Sequence, residues 1–211
     1  SWIKSEMSIT GVRTWRELRG QDCIDIEELP EKKSICTSRS FSQMTDNLAD
    51  LTERVSNFAS KTARKLREQH SVCQTVTVFI LSNHFRDDLA QYDNSLTVKL
   101  PVATADTAEI IRVCSESLKS IYREHIMYKK AGVVVSNISS DRAIQQDLFD
   151  PVDRQKQRRL NTVVDAINRK VGYETIHSAA QGVQRKEWLK REFISKNYTT
   201  NIKDIIQIRL L

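Results

Sequence analysis

Long hydrophobic runs are missing from this sequence. Its longest apolar stretches, VTVFIL and GVVV, are far shorter than the roughly 20 residues that a transmembrane helix needs, so we expect no membrane partner. The first residues, SWIKSEM, have no apolar segment behind a basic one, and we expect no secretory signal. Trp2 and Ile3 are apolar where a natural terminus is usually polar, which indicates a portion of a longer protein.

Paired cysteines and metal-binding histidine spacings are also absent. The four cysteines include no CxxC pair, and the four histidines are widely separated along the chain. They are Cys23, Cys36, Cys73 and Cys114, and His70, His84, His125 and His177. This distribution predicts reduced cytosolic thiols that pack as small apolar residues, and it predicts no metal site.

Motifs for catalysis are missing as well. The sequence has no GxxxxGK[ST] phosphate loop and no Ser/His/Asp or Cys/His order typical of a nucleophilic site. Its acidic clusters, 25–28, 87–88 and 147–150, lie in segments that we predict to be a linker, a loop and a tether. Solvated acidic loops explain these clusters better than a catalytic site does.

What the chain has is an excess of positive charge, net +6, that lies entirely beyond residue 31. A basic excess suits a polyanionic partner, although many basic proteins bind none. Residues 1–20 show helical spacing, with Gly20 as a C-terminal cap, and the acidic-then-basic stretch QDCIDIEELPEKK is typical of a linker. We place the first domain boundary near Lys32.

Residues 32–140 alternate between strand and helix patterns. SICTSRSF, TVTVFILS, SLTVKLP and KKAGVVVSNIS predict strands, and two amphipathic helices lie between them. Asp46 or Asn47 can cap the first helix, and the second runs from about Thr107 to Glu124. The order predicts an α+β fold, a ferredoxin-like split βαβ with a four-stranded antiparallel sheet and two helices on one face.

The other face of that sheet is polar. The alternation assigns it Thr75, Thr77, Thr97 and Lys99, which are hydroxyl-bearing or cationic. A plain solvated face and a binding face explain this pattern equally well.

The last third divides into two parts. Residues 141–152, which contain DRAIQQDLFD, predict a tether. Residues 153–211 predict a small α+β unit that begins with a basic amphipathic helix and ends that helix near Gly172. The helix combines an apolar set (Leu160, Val163, Val164, Ile167) with a basic set (Arg154, Lys156, Arg158, Arg159).

Five stretches, in the same order along the chain, resemble the C-terminal portion of UmuC-type Y-family translesion DNA polymerases. VRTWRELRG resembles the last thumb helix, within residues 1–31. KKSICTSRSF, KTARKLREQH and TVTVFILS resemble the little finger, residues 32–140. AAQGVQRKEWLKREFISKNYTT resembles the C-terminal extension. The resemblance implies a parent DNA polymerase that acts in DNA repair and SOS damage tolerance. The family's palm carboxylates and their Mg²⁺ ions precede the thumb, so this chain should not synthesise DNA and needs no cofactor of its own.

The resemblance also implies binding residues. The little finger of this family rests its sheet across the major groove of primer–template DNA and contacts mainly phosphates, which positions a duplex without reading its sequence. By match to the first-strand motif, the expected contacts are Lys33, Ser34, Thr37, Ser38 and Arg39. The polar sheet face adds Thr75, Thr77, Thr97 and Lys99.

Gln145-Gln146-Asp147-Leu148-Phe149 resembles the pentapeptide with which bacterial polymerases bind the sliding clamp. In this motif Leu148 and Phe149 enter an apolar pocket and Gln145 supplies directional hydrogen bonds, while Asp147 completes the match. An ordinary linker whose Leu-Phe pair covers a local core is the alternative.

Other interpretations remain open. The chain can be a stand-alone interaction module that binds the clamp or a UmuD-type dimer without DNA. An RNA-binding sheet domain is disfavoured, because the strands lack the aromatic motif used for base stacking. The resemblance implies a bacterial cytoplasmic protein associated with the nucleoid.

Overall fold

The N-terminal part of the chain, α1 (Trp2–Glu17), consists of two helical segments separated by a kink. This computed structural model describes residues 2–23, 32–142, 144–145, 147, 150, 152–172, 174–183 and 195–205. The chain forms two units, Ser1–Lys32 and Lys33–Leu211. Ser8, at φ 61°, bends α1. Gly20, at φ 77°, caps it as predicted: its N–H donates to the Glu17 carbonyl, and the Gln21 N–H donates to the Arg16 carbonyl.

The second unit contains a four-stranded sheet. Its elements are β1 (Ser34–Thr45), α2 (Leu48–Glu68), β2 (Ser71–Leu81), β3 (Asp93–Thr104), α3 (Thr107–Ile121), β4 (Tyr128–Ser140) and α4 (Arg154–Val171), followed by short 3₁₀ helices at Ala179–Gln181 and Ile202–Asp204. The strand order is β1-β4-β2-β3, with every neighbouring pair antiparallel. Each helix therefore joins two parallel strands with one strand inserted between them, which confirms the predicted split βαβ fold.

The helices α2 and α3 cover one face of the sheet because their apolar stripes match it. Asn47 caps α2 by accepting from the N–H groups of Ala49 and Asp50, and Asp106 caps α3 by accepting from that of Glu109. The buried core is continuous. It includes Leu51, Val55, Phe58 and Leu66 of α2, Ile110, Cys114 and Leu118 of α3, and Val76, Val78, Ile80, Val133 and Val135 of the strands. Burial of each large apolar side chain contributes about 1.5–3 kcal/mol before the entropy cost of folding.

Helix α3 ends at Ile121, three residues before the predicted end at Glu124. Tyr122 leaves the helix with an extended conformation, φ −65° and ψ 140°. The buried Tyr128 hydroxyl then bonds both the N–H and the carbonyl of Arg123, at 2.9 and 3.1 Å. The side chain of a residue five positions further along the chain thus satisfies backbone groups that another helical turn would use, and the periodicity of the helix does not indicate that partner.

Helix α4 lies against α2 and α3 through its polar side. Arg154 contacts Glu109, Asn161 donates to Asp106 at 2.7 Å, and Asp165 accepts two hydrogen bonds from Arg67. Two of its predicted apolar positions, Leu160 and Val163, are exposed instead, at 57% and 55%. The helix ends at Gly172 as predicted.

The segment after α4 also contacts α2. The Asn57 amide donates to the Gln181 carbonyl at 2.9 Å, and both side chains are buried. Gly182, at φ 84°, lies so close to Glu53 that an added Cβ would come within 2.4 Å of the carboxyl carbon. Among the described residues beyond Asp150 we find helices and turns but no strand of the predicted α+β unit. In the part of the chain that the structure describes, every helix is too short or too polar to span a bilayer.

Candidate nucleic-acid interface and tether

The sheet face opposite α2 and α3, which we call the open face, consists of four cross-strand rows. The strand register defines these rows, because alternate residues of each strand point away from the helices. In the order β1, β4, β2, β3 they are Ser34–Ser136–Thr75–Lys99, Cys36–Val134–Thr77–Thr97, Ser38–Gly132–Phe79–Ser95 and Ser40–Lys130–Leu81–Asp93.

Six of the nine predicted DNA contacts lie together on the open face. They are Ser34, Ser38, Thr75, Thr77, Thr97 and Lys99. The register brings β1 and β3, which the sequence could not connect, to opposite sides of one surface. Lys33 is exposed directly before β1.

The other two predicted contacts, Thr37 and Arg39, point to the helix side of the sheet. The Thr37 hydroxyl accepts from the hydroxyl of Thr62 at 2.9 Å. Arg39 pairs with Ala131 in the register and is exposed at the edge strand. Burial, together with the Arg39 charge, lowers the pKa of Lys61 on α2, whereas Glu174 raises it. Thr37 thus contacts helix α2. Neither Thr37 nor Arg39 shares the open face, because a strand alternates its side chains with a period of two.

Hydroxyls and cations dominate the polar part of the open face. Thr77 and Thr97 are directly opposite each other, and their hydroxyls are hydrogen-bonded at 2.9 Å. Lys99 and Lys130 are the cations of the four rows, and Asp93 is the anion, 2.8 Å from His84. Such a surface can donate several hydrogen bonds to phosphate oxygens and neutralise part of their charge.

The predicted contacts leave out several residues of this face. Phe79 and Ser95 lie on the side where alternation within TVTVFILS and SLTVKLP places them, but they were not predicted to bind DNA. Ser40, Lys130 and Ser136 also carry polar groups on this face, and sequence reasoning did not place them there. Alternation within KKAGVVVSN indicates which residues of β4 share a side. Their alignment with β1 and β2 depends on the register, which is set by contacts between distant segments.

The tether between β4 and α4 is held at both ends by ion pairs to α4. At its start, Asp141 is 2.7 Å from Arg158, and its N–H donates to the His70 carbonyl at 3.0 Å. At its end, Asp150 is 2.6 Å from Arg154, which also contacts Glu109 on α3. In sequence, the predicted clamp motif therefore lies between two residues that are ion-paired to α4. Gln145 and Asp147 belong to the described residues, whereas Gln146, Leu148 and Phe149 lie outside them.

The Arg154 cluster is maintained by charge. Although burial opposes the cation, hydrogen bonds to Asp150 and Glu109 raise the pKa of Arg154. The hydrogen bond between Arg154 and Asp150 also holds the pKa of Asp150 below its usual range. The interaction is therefore complete at neutral pH and is lost as pH falls through that lowered pKa.

Metal ligands do not converge anywhere in the described ranges. Among those residues, no three His, Cys, Asp or Glu side chains form a group that could hold an ion. Burial raises the pKa of Cys73 to about 12 and also raises that of Cys114. Both thiols are therefore packing groups of the core.

Two family models match the chain. Residues 32–148 match the impB/mucB/samB family C-terminal domain, and residues 158–208 match a domain of unknown function, DUF4113. The first model covers more than half of the chain, including the sheet, α2, α3 and most of the tether.

Individual proteins are similar over nearly the whole chain. Protein MucB of Salmonella typhimurium is 38% identical over 205 residues, which cover 96% of this chain and 48% of that protein. Protein UmuC of the same species is 33% identical over 212 residues, which cover 99% and 50%. The chain thus spans about half the length of these relatives. A solved structure, an insertion ternary complex of Dbh DNA polymerase, aligns with TM-score 0.39 and 13% identity over 66% of this chain and 38% of that one.

Proposed function

The chain belongs to the impB/mucB/samB family, and from this premise we propose that it is the DNA-binding and clamp-tethering part of an error-prone translesion DNA polymerase. Its relatives are about twice as long. The chain itself carries neither a phosphate loop nor a palm-like carboxylate motif. DNA synthesis and the Mg²⁺ ions that it requires are therefore assigned to the rest of the longer protein.

The observation that carries the DNA-binding proposal is the chemistry of the open face. Hydroxyls occupy all four rows, two lysines lie among them, and the one acidic side chain, Asp93, has a histidine partner. Phosphate contacts from such groups hold a duplex in place without selecting its sequence. This property suits an enzyme that must copy any template, including a damaged one.

The tethering proposal rests on the sequence of residues 145–149 and on their location. The motif directly follows β4, and ion pairs at Asp141 and Asp150 delimit the loop that contains it. A loop anchored at two points presents a short extended peptide at a lower entropy cost than a free tail does. We propose that the bacterial sliding clamp is the partner.

The C-terminal extension is proposed to contact a UmuD-type dimer, and the protein to act on nucleoid DNA in the bacterial cytoplasm. A second candidate function is a stand-alone module that occupies the clamp without binding DNA. The exposed apolar residues of α4, Leu160 and Val163, favour a protein-binding role for this part of the chain. The two functions differ in one property, which is the affinity of the open face for DNA.

We expect the chain to bind a labelled primer–template duplex independently of sequence, with an affinity that decreases steeply as salt increases. Fluorescence anisotropy at several salt concentrations, on two unrelated sequences, measures this. Lys99→Gln should reduce the slope of log affinity against log salt by about 1, because one phosphate contact is lost. Lys119→Gln, on α3 across the sheet, is the matched control and should leave the slope unchanged. Absence of binding at low salt would leave the interaction module as the better description.

The exposed thiol of Cys36 provides an independent probe. It lies on the open face beside Val134, whereas Cys73 and Cys114 are buried and their raised pKa values keep them as thiols. A maleimide should therefore modify Cys36 and spare the two buried cysteines, and saturating duplex should slow the reaction at Cys36 at least several-fold. Mass mapping of Cys23, in the other unit, serves as the internal reference. Equal rates with and without DNA would contradict the assignment of this face.

A further inference from the structure

Helix α4 carries an exposed apolar stripe, which consists of Leu160, Val163, Val164, Ile167 and Val171. The side chains of Leu160, Val163 and Val171 are 57%, 55% and 67% exposed, and those of Val164 and Ile167 are half-buried. Counted from Leu160, the others follow after three, four, seven and eleven positions, so all lie on one side of a helix with about 3.6 residues per turn. The stripe therefore extends over about three turns.

The stripe is exposed because α4 docks through a different, polar side. Asn161 donates to Asp106 at 2.7 Å, and Asp165 accepts two hydrogen bonds from Arg67. Successive residues of an α-helix point about 100° apart, so Leu160 points well away from the direction of Asn161. These hydrogen bonds fix the rotation of the helix about its own axis, and they hold the centre of the stripe in solvent.

Cations flank the stripe on its solvent side. Lys156, Arg159 and Lys170 are exposed. They lie seven and four positions before Val163 and seven after it, so they share its side of the helix. Among the described residues, none of these three cations forms an ion pair. The one acidic residue within α4, Asp165, is held by an ion pair on the docked side. The stripe is thus bordered by positive charge that no carboxylate of the helix offsets.

This combination of apolar and cationic side chains determines the chemistry of the partner. A second copy of the chain would bring the same cations against Lys156 and Lys170, and like charges repel. Duplex phosphates would match the cations but would offer no apolar surface to the stripe. A partner that satisfies both needs apolar anchors flanked by carboxylates. Anchors repeated every three to four residues along one side are the pattern of an amphipathic helix.

We infer that the stripe of α4 docks an amphipathic helix of another protein, whose apolar side chains are flanked by Asp or Glu. This inference rests on the protein-binding role proposed for this part of the chain and is independent of DNA binding by the open face. Burial of the apolar anchors supplies the affinity, and pairing of the carboxylates with Lys156, Arg159 and Lys170 fixes the orientation of the partner. The sliding clamp is a separate partner, because its proposed contacts lie in the tether.

The test uses two labelled synthetic helices of about 20 residues, a length that can form a helix in water. Both carry leucine at spacings of three and four residues, and they differ only in the flanking positions, which are glutamate in one and lysine in the other. In fluorescence anisotropy, the 211-residue chain should bind the glutamate helix at least about tenfold more tightly. The triple charge reversal Lys156→Glu, Arg159→Glu and Lys170→Glu should invert that preference, which a defect in folding would not do.

Variants of the apolar side chains separate docking from general attraction between charges. Leu160→Ser with Val163→Ser should weaken binding of the glutamate helix at least about 30-fold, since two anchors are lost. Thermal melting should be unchanged, because both side chains are exposed. The matched controls are Phe85→Ser, which removes a 96% exposed phenylalanine from the loop after β2, and Lys99→Gln on the open face. Both should leave the affinity for the glutamate helix unchanged.

The inference has results that would overturn it. Absent binding of the glutamate helix, or equal binding of the two helices by the wild-type chain, would do so. Undiminished binding by the Leu160→Ser, Val163→Ser variant would show that the helix docks elsewhere. Displacement of the glutamate helix by duplex DNA would show that both compete for one basic surface, which would also overturn the inference. Failure of the chain to bind DNA would leave the inference standing and would overturn only the proposed DNA-binding function.

Discussion

Replacing Leu148 and Phe149 together by alanine is expected to abolish binding of this chain to the bacterial sliding clamp. In an extended-peptide interface, a few apolar anchors supply most of the affinity, and each costs about 2 kcal/mol or more when truncated. Loss of both should reduce the affinity at least about 100-fold. Isothermal titration of the clamp with the chain measures this directly, and the thermal melting temperature of the variant should match that of the wild type.

The matched control changes two apolar residues that the tether does not contain. Leu160→Ala with Val163→Ala removes exposed side chains of α4 and should leave clamp affinity unchanged. If the tether variant binds the clamp as tightly as the wild type, the clamp-site assignment is wrong. If the α4 variant loses binding instead, the clamp contacts the helix and not the pentapeptide.

Arg67→Ala is expected to cause a large loss of stability by releasing α4 from α2. The guanidinium donates to both Asp165 oxygens at 2.6 and 2.8 Å, to the Ala105 carbonyl at 2.7 Å and to the Thr107 hydroxyl at 2.9 Å. Removal of one partner of a fully buried pair costs about 3–5 kcal/mol. Because the Arg67 and Asp165 side chains are 18% and 21% exposed, we expect a decrease of about 2–3 kcal/mol in the free energy of unfolding.

Urea denaturation measures that decrease, and hydrogen exchange locates it. Exchange of α4 amides should accelerate more than that of β2 amides, because α4 loses its docking contact while the core remains. Arg112→Ala, which breaks an exposed i,i+4 pair with Glu116, is the control and should change stability by less than about 0.5 kcal/mol. A double-mutant cycle with Asp165→Ala isolates the pair. A coupling energy near zero would show that the ion pair does not hold the helix.

Much of the fold follows from short-range patterns. Alternation placed Thr75, Thr77, Thr97 and Lys99 on one face, and the structure confirms that face. The N-cap of α2 at Asn47 follows from its capping chemistry. These features could be predicted because the residues that determine them lie within a few positions of one another.

Contacts between distant segments could not be predicted in this way. The pattern of α4 separates an apolar set, which includes Leu160 and Val163, from a basic set, yet both of these apolar side chains are exposed. The helix instead docks through Asp165, 98 residues from its partner Arg67. Gln181 meets Asn57 across 124 residues. In both cases the two residues meet because the tertiary fold brings distant segments together, and local periodicity carries no information about which distant segments become neighbours.

The sequence by itself determined the order of helices and strands, the polar character of one sheet face and the motif of the tether, because hydrophobic periodicity and short motifs are local properties. Only the tertiary structure decided which residues share a row of that face. The strand order β1-β4-β2-β3 and the register of its pairs placed Ser38 and Phe79 on either side of Gly132. They also directed Thr37 toward α2. Pairing between strands depends on the simultaneous burial of all the apolar side chains of the core, which no single segment encodes.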